Sequence, residues 1–149
     1  MYASEVGVER IAAMRLIFFG AGILFSLLAV WLGDYAWSSM RGRSYDFQEQ
    51  FIPRVVQTVF IVAPFVLTAI ITHRKTREGG VTARRASWVA LGVLVAGSTG
   101  VHGFMYILAS SLKHGRTGGS LLYGFLLLTG PVWLTILGVL GFYIARRIS

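Results

Sequence analysis

Four long apolar runs, Leu16–Leu32, Val55–Thr72, Ser87–Leu112 and Leu121–Ala145, contain no Asp, Glu, Lys or Arg. A bilayer core of roughly 30 Å takes about 20 apolar residues per helical crossing, and in hydrocarbon the backbone must satisfy its own hydrogen bonds, so each run is a helix. The composition agrees: 13% of the 149 residues are charged and 55% are hydrophobic, against about 25% charged in a soluble domain. The expected fold is all-α. It is a single polytopic membrane domain over 1–149, whose four transmembrane helices follow one another as an up-down-up-down bundle.

The first run exceeds the roughly 7–15 residues of a signal-peptide core and no small-x-small site follows it, so it reads as a crossing rather than a cleaved leader. Pro53 is expected in the first turn of the second helix. Pro64 and Pro131 fall inside the second and fourth, where a proline removes a backbone bond. The intervening segments read as loops: Gly33–Arg54 along the membrane surface, His73–Arg85, and a glycine-rich hairpin at Lys113–Ser120. Phe47 and Phe51, four apart, would share a helical face.

Lysine and arginine are retained on the cytoplasmic side. Arg10, Arg15, Arg74, Lys75, Arg77, Arg84, Arg85, Arg146 and Arg147 fall on one side of this topology, and Arg41, Arg43, Arg54, Lys113 and Arg116 on the other. Nine against five predicts that both termini are cytoplasmic, and the basic loops in a cysteine-free, glycine-rich chain suggest a bacterial inner membrane. The net charge of +8 sits at the ends of apolar runs, which points to anionic lipid headgroups and not to nucleic acid. Arg74, Lys75, Arg77, Arg84 and Arg85 form the basic cluster that would face lipid or an acidic partner.

Without cysteine there is no disulfide exchange, thiolate nucleophile, iron–sulfur cluster or thiolate-bound zinc. Uncharged runs also speak against a proton-coupled exporter or ion-driven pump, which needs a buried carboxylate. Asp34, just past the first run, reads as a solvated carboxylate at a helix end. His102 is the sole ionisable side chain inside a run, slightly past its midpoint. Its simplest role is a structural hydrogen bond. The alternatives are a ligand to haem b, a contact to quinone, or a proton relay; otherwise no cofactor and no metal is expected.

Gly92, Ala96 and Gly100, with Thr99 and Gly103 beside them, form a small-xxx-small row that lets another helix approach closely. Packing within the chain is the simplest use of this row, and contact with a partner subunit the other. His102 lies about 200° around the helix from Gly100 and faces a different neighbour. The leading functional expectation is a non-catalytic accessory or structural subunit of a larger membrane complex, associating with other membrane subunits or with itself. The alternatives are a small homo-oligomeric transporter or channel with Gln57, Ser98 and Thr99 along its path, and a haem- or quinone-binding anchor centred on His102.

Overall fold

The computed structural model describes residues 2–40, 42, 46–77, 80–111 and 116–148. Helix α1 (Tyr2–Ser26) passes into a π-helical segment (Leu27–Leu32) and then into α2 (Gly33–Met40). The junction residues Ser26 and Gly33 both keep right-handed helical dihedrals, so the three pieces form one rod. Then follow α3 (Phe47–Arg77), α4 (Gly80–Ser111) and α5 (Arg116–Ile148). Each of the four rods contains a stretch long and apolar enough to cross a membrane: Ala13–Met40, Gln50–Thr76, Gly80–Phe104 and Gly124–Ile148. The protein is an all-helical integral membrane bundle.

The helices run well past the apolar runs, and this revises the loops. Most of the expected Gly33–Arg54 surface loop is helix, in α2 and the start of α3. Pro53 therefore lies beyond the first turn of α3. Arg74, Lys75, Arg77, Arg84 and Arg85 belong to helix ends and not to a loop, because α3 continues to Arg77 and α4 starts at Gly80. Gly80 takes φ +77°, a left-handed conformation that glycine adopts without the Cβ penalty. Gly118 and Gly119 lie in α5, and 112–115 falls outside the described residues. The physical reason is common to all of these: charged side chains end an apolar run but do not end a helix, since they are good helix formers once they reach the headgroups.

The contacts between rods fix their directions. Gly22 meets Phe65 and Ser26 meets Thr58, so α1 and α3 are antiparallel. Leu134 packs at Gly97 and Val93 at Gly141, so α4 and α5 are antiparallel too. Thr68 lies against Gly138, and Arg146 reaches Lys75, which makes α3 and α5 parallel neighbours. The bundle alternates up and down along the chain, but around its perimeter the order is α1, α3, α5, α4. The seam between α1 and α4 is the most sparsely packed.

The apolar core joins Phe18, Phe65, Ala86, Ala90, Leu91, Leu94, Leu134 and Phe142. It fills the half of the bundle that holds Arg15, the α3–α4 turn and the chain's carboxyl end. Large apolar side chains such as Leu24, Val59, Ile70, Leu128, Val132 and Ile144 point outward, as a lipid-facing surface requires. The other half is built differently.

Candidate functional site

Towards that other end, α1, the π segment and α2 meet α3 through polar side chains. The Thr58 hydroxyl is the node: it donates to the Arg54 carbonyl at 2.8 Å and accepts from Ser26 Oγ at 2.9 Å and from Trp31 Nε1 at 3.1 Å. Arg54 in turn pairs with Asp34, donates to Gln57 Oε1 at 2.8 Å and reaches Gln50 Oε1 at 3.5 Å. Trp31 sets its ring edge-on to Phe51, with centroids 5.9 Å apart. Ser26 is fully buried, and the Asp34 and Arg54 side chains are 19% and 16% exposed. Asp34 is therefore not the solvated carboxylate expected from its place after an apolar run; it is half-buried and neutralised by a cation 20 residues further on.

The π segment makes this arrangement possible. The side of α1 facing α3 follows a four-residue step, Phe18, Gly22, Ser26 and Val30, all buried, and Asp34 is the next. In an α-helix each such step drifts by about 40°, which would carry Asp34 about 80° around from Ser26. Wider i→i+5 winding over Leu27–Leu32 cancels that drift. Sequence reasoning missed the network because its members lie on two separate stretches of chain, 26–34 and 50–58, and three of them, Asp34, Gln50 and Arg54, fall outside the apolar runs. The legible part of the signal is on α3, where Gln50, Arg54, Gln57 and Thr58 share one helical face.

Depth follows from helix rise. Asp34 lies 19 residues after Arg15, about 28 Å at 1.5 Å per residue, close to the roughly 30 Å of a hydrocarbon core. With Arg15 at one boundary, the Asp34–Arg54 pair is at the other, and Thr58, four residues from Arg54, and Ser26, eight from Asp34, continue the polar chain about 6–12 Å inward.

His102 sits at the level of Phe25, whose ring it meets at 5.7 Å. It lines a narrow cleft with Ser98, Phe60, Leu127, Gly130 and Trp133, drawn from α3, α4 and α5, and the free space fits about one water-sized guest. Ser98 is buried, and its hydroxyl has no hydrogen-bond partner among the described residues. His73 lies at the far end of α3, remote from His102, and His114 falls outside the described residues. No group of three His, Asp or Glu side chains suited to a metal occurs among the described residues. Gln57, Ser98 and Thr99 are not brought onto one path: Gln57 bonds Arg54, Ser98 faces the cleft, and Thr99 is exposed with its hydroxyl donated to the Val95 carbonyl at 2.8 Å.

The small-residue row is also placed. Gly92, Ala96, Thr99, Gly100 and Gly103 are all exposed, and a Cβ added at Gly92, Gly100 or Gly103 would meet nothing within 4 Å. The expectation that this row packs within the chain is thus overturned. The close approaches belong instead to Gly22, Gly97, Gly138 and Gly141, and the two tightest, Gly97 and Gly138, have no small residue four positions away. Around α4, the cleft face with Ser98 and His102 and the row of small residues point in different directions, as the helical angle requires.

The basic residues gather at the opposite end. Arg15, Arg74, Arg84, Arg85 and Arg147 are exposed there, and Arg146 donates to the Lys75 carbonyl at 3.4 Å, tying α5 to α3. Comparisons with protein-family models, with characterised proteins and with solved structures give no match to this chain.

Proposed function

We propose that this protein is a non-catalytic accessory or structural subunit of a larger membrane complex, held in a bacterial inner membrane with both termini on the cytoplasmic side. The observation that carries the reading is the outward-facing row Gly92, Ala96 and Gly100 with Thr99 and Gly103. Lipid tails gain nothing from small residues, whereas a second helix gains close van der Waals contact. The polar groups in the membrane support the same reading: Ser26, Thr58, Asp34 and Arg54 are engaged with one another in bonds that hold helices together. The orientation rests on the basic end, whose Arg15, Arg74, Lys75, Arg84, Arg85, Arg146 and Arg147 are of the kind retained in the cytoplasm.

The test is a tagged purification from native membranes in mild detergent, with an absorption spectrum and mass-spectrometric identification of each co-purifying chain. A stoichiometric foreign subunit is expected, and Gly100→Leu should release it while leaving the tagged chain monodisperse. Leu137→Ala, an exposed position on α5, should not. A colourless homo-oligomer would overturn the proposal in favour of a transporter or channel, and a Soret band lost in His102→Ala in favour of a haem anchor.

A further inference from the structure

A second feature lies at mid-depth and is independent of any partner subunit. Phe25, at whose level His102 sits, comes ten residues after Arg15, about 15 Å along α1 at 1.5 Å per residue. That is the middle of a hydrocarbon core of roughly 30 Å, where a backbone group without a partner is most costly. Two such groups follow from the prolines inside α3 and α5. Proline has no N–H, so Pro64 cannot bond the Phe60 carbonyl and Pro131 cannot bond the Leu127 carbonyl, each four residues before it. Phe60 and Leu127 both line the cleft that holds Ser98 and His102.

The hydroxyls nearest these gaps are committed elsewhere: Thr58 donates to the Arg54 carbonyl, Thr129 to the Phe125 carbonyl and Thr135 to the Pro131 carbonyl. Ser98, contributed by α4, is 2% exposed, and its hydroxyl has no partner among the described residues. The cleft offers about 20 Å³, room for one water, and a buried water typically makes about three hydrogen bonds. A guest that fits must donate to two carbonyls and accept from one hydroxyl. Water has that pattern. A cation could take the same three oxygens, but no carboxylate lines the cleft among the described residues, and a bare charge at this depth is uncompensated.

We propose that this cleft binds one ordered water, which donates to the Phe60 and Leu127 carbonyls and accepts from the Ser98 hydroxyl. It replaces the two helix bonds that the prolines remove, and in doing so ties α3, α4 and α5 together at the centre of the membrane.

Two measurements on the full chain test this. A crystal structure grown in a lipidic mesophase, at a resolution that shows ordered water, should carry a peak about 2.7–3.2 Å from Ser98 Oγ and from both carbonyl oxygens. Thermal unfolding in detergent gives a sign. A buried hydroxyl without a partner costs stability, so in a dry cleft Ser98→Ala would leave the midpoint unchanged or raise it. With the water bound, the variant should lower the midpoint by about 2–4 °C. Thr99→Ala, which removes an exposed hydroxyl from the same helix, should leave it unchanged. The proposal is overturned by the absence of a peak, by a peak that fails to reach both carbonyls, by an unchanged or raised midpoint in Ser98→Ala, or by an equal loss in Thr99→Ala. A peak that gains anomalous scattering when sodium is replaced by rubidium would also overturn it, because the site would then be one for a cation.

Discussion

At the residue scale, the bundle's tightest points are glycines that lie outside any small-xxx-small repeat. A Cβ on Gly138 would sit 2.8 Å from Thr68 Oγ1 and 3.0 Å from Leu94, and both neighbours are fully buried. A Cβ on Gly97 would also meet an atom at 2.8 Å, but that atom is the terminal methyl of Leu134, which can rotate. Gly92 has open space. Gly138→Val should therefore destabilise by about 1–3 kcal/mol through overpacking, Gly97→Ala by less, and Gly92→Ala not at all, as read from thermal unfolding in detergent. Equal losses at positions 138 and 92 would contradict this packing. The row on α4 was legible in the sequence because it repeats every four residues along one element. Gly97 and Gly138 were not, because their role depends on which side chain of another helix faces them, and hydropathy carries no such information.

At the element scale, the first rod is an α-helix that accommodates a wider turn so that two polar anchors, Ser26 and Asp34, both face α3. Removing one outward residue from the π segment should restore α-helical winding without disturbing either anchor. With Leu28 deleted, Asp34 would follow Ser26 by seven residues, about 20° short of two full turns, which is close to its present phase. Deleting Leu24, an equally lipid-facing residue in the α-helical part, would instead rotate the chain before it by about 100° and pull Phe18 and Gly22 off α3. The Leu28 deletion is therefore expected to keep near-native stability and the Leu24 deletion to lose it; the reverse ranking would show that the wide turn is not what aligns the anchors. The pair itself is measured by a double-mutant cycle of Asp34→Asn and Arg54→Gln. For side chains this far out of water the coupling should be about 1–2 kcal/mol, above that of an exposed pair and below that of a fully buried one. Asp34 reads as a loop residue in the sequence because hydropathy falls at Gly33, yet the helix continues there, and its cation lies in a separate segment.

At the scale of the whole molecule, hydropathy was sufficient to count the crossings, since among the described residues each of the four apolar runs falls on one rod. It did not determine their neighbours. Short connections favour contact between successive helices, but the last two rods pair tightly with each other and α3 packs on α5 in parallel, so α1 is left at the side with the sparse seam. The choice follows from side-chain shape, with Gly138 of α5 presented to both α3 and α4. Topology links this arrangement to the membrane. Arg15, the α3–α4 turn and Arg147 share one end of the bundle, whereas at the other end the Arg54 charge is compensated by Asp34. The cysteine-free chain is a ready background for the measurement. Ser39→Cys, exposed at the end of α2, should react with a membrane-impermeant maleimide on intact right-side-out cells. Ile148→Cys, exposed at the end of α5, should react only after the membrane is permeabilised. If the pattern is reversed, the basic residues at the end of α3 and the start of α4 do not set the orientation. If both sites react from outside, the two ends of the bundle do not lie on opposite sides of the bilayer, and the crossings assigned to these four rods would fail with them.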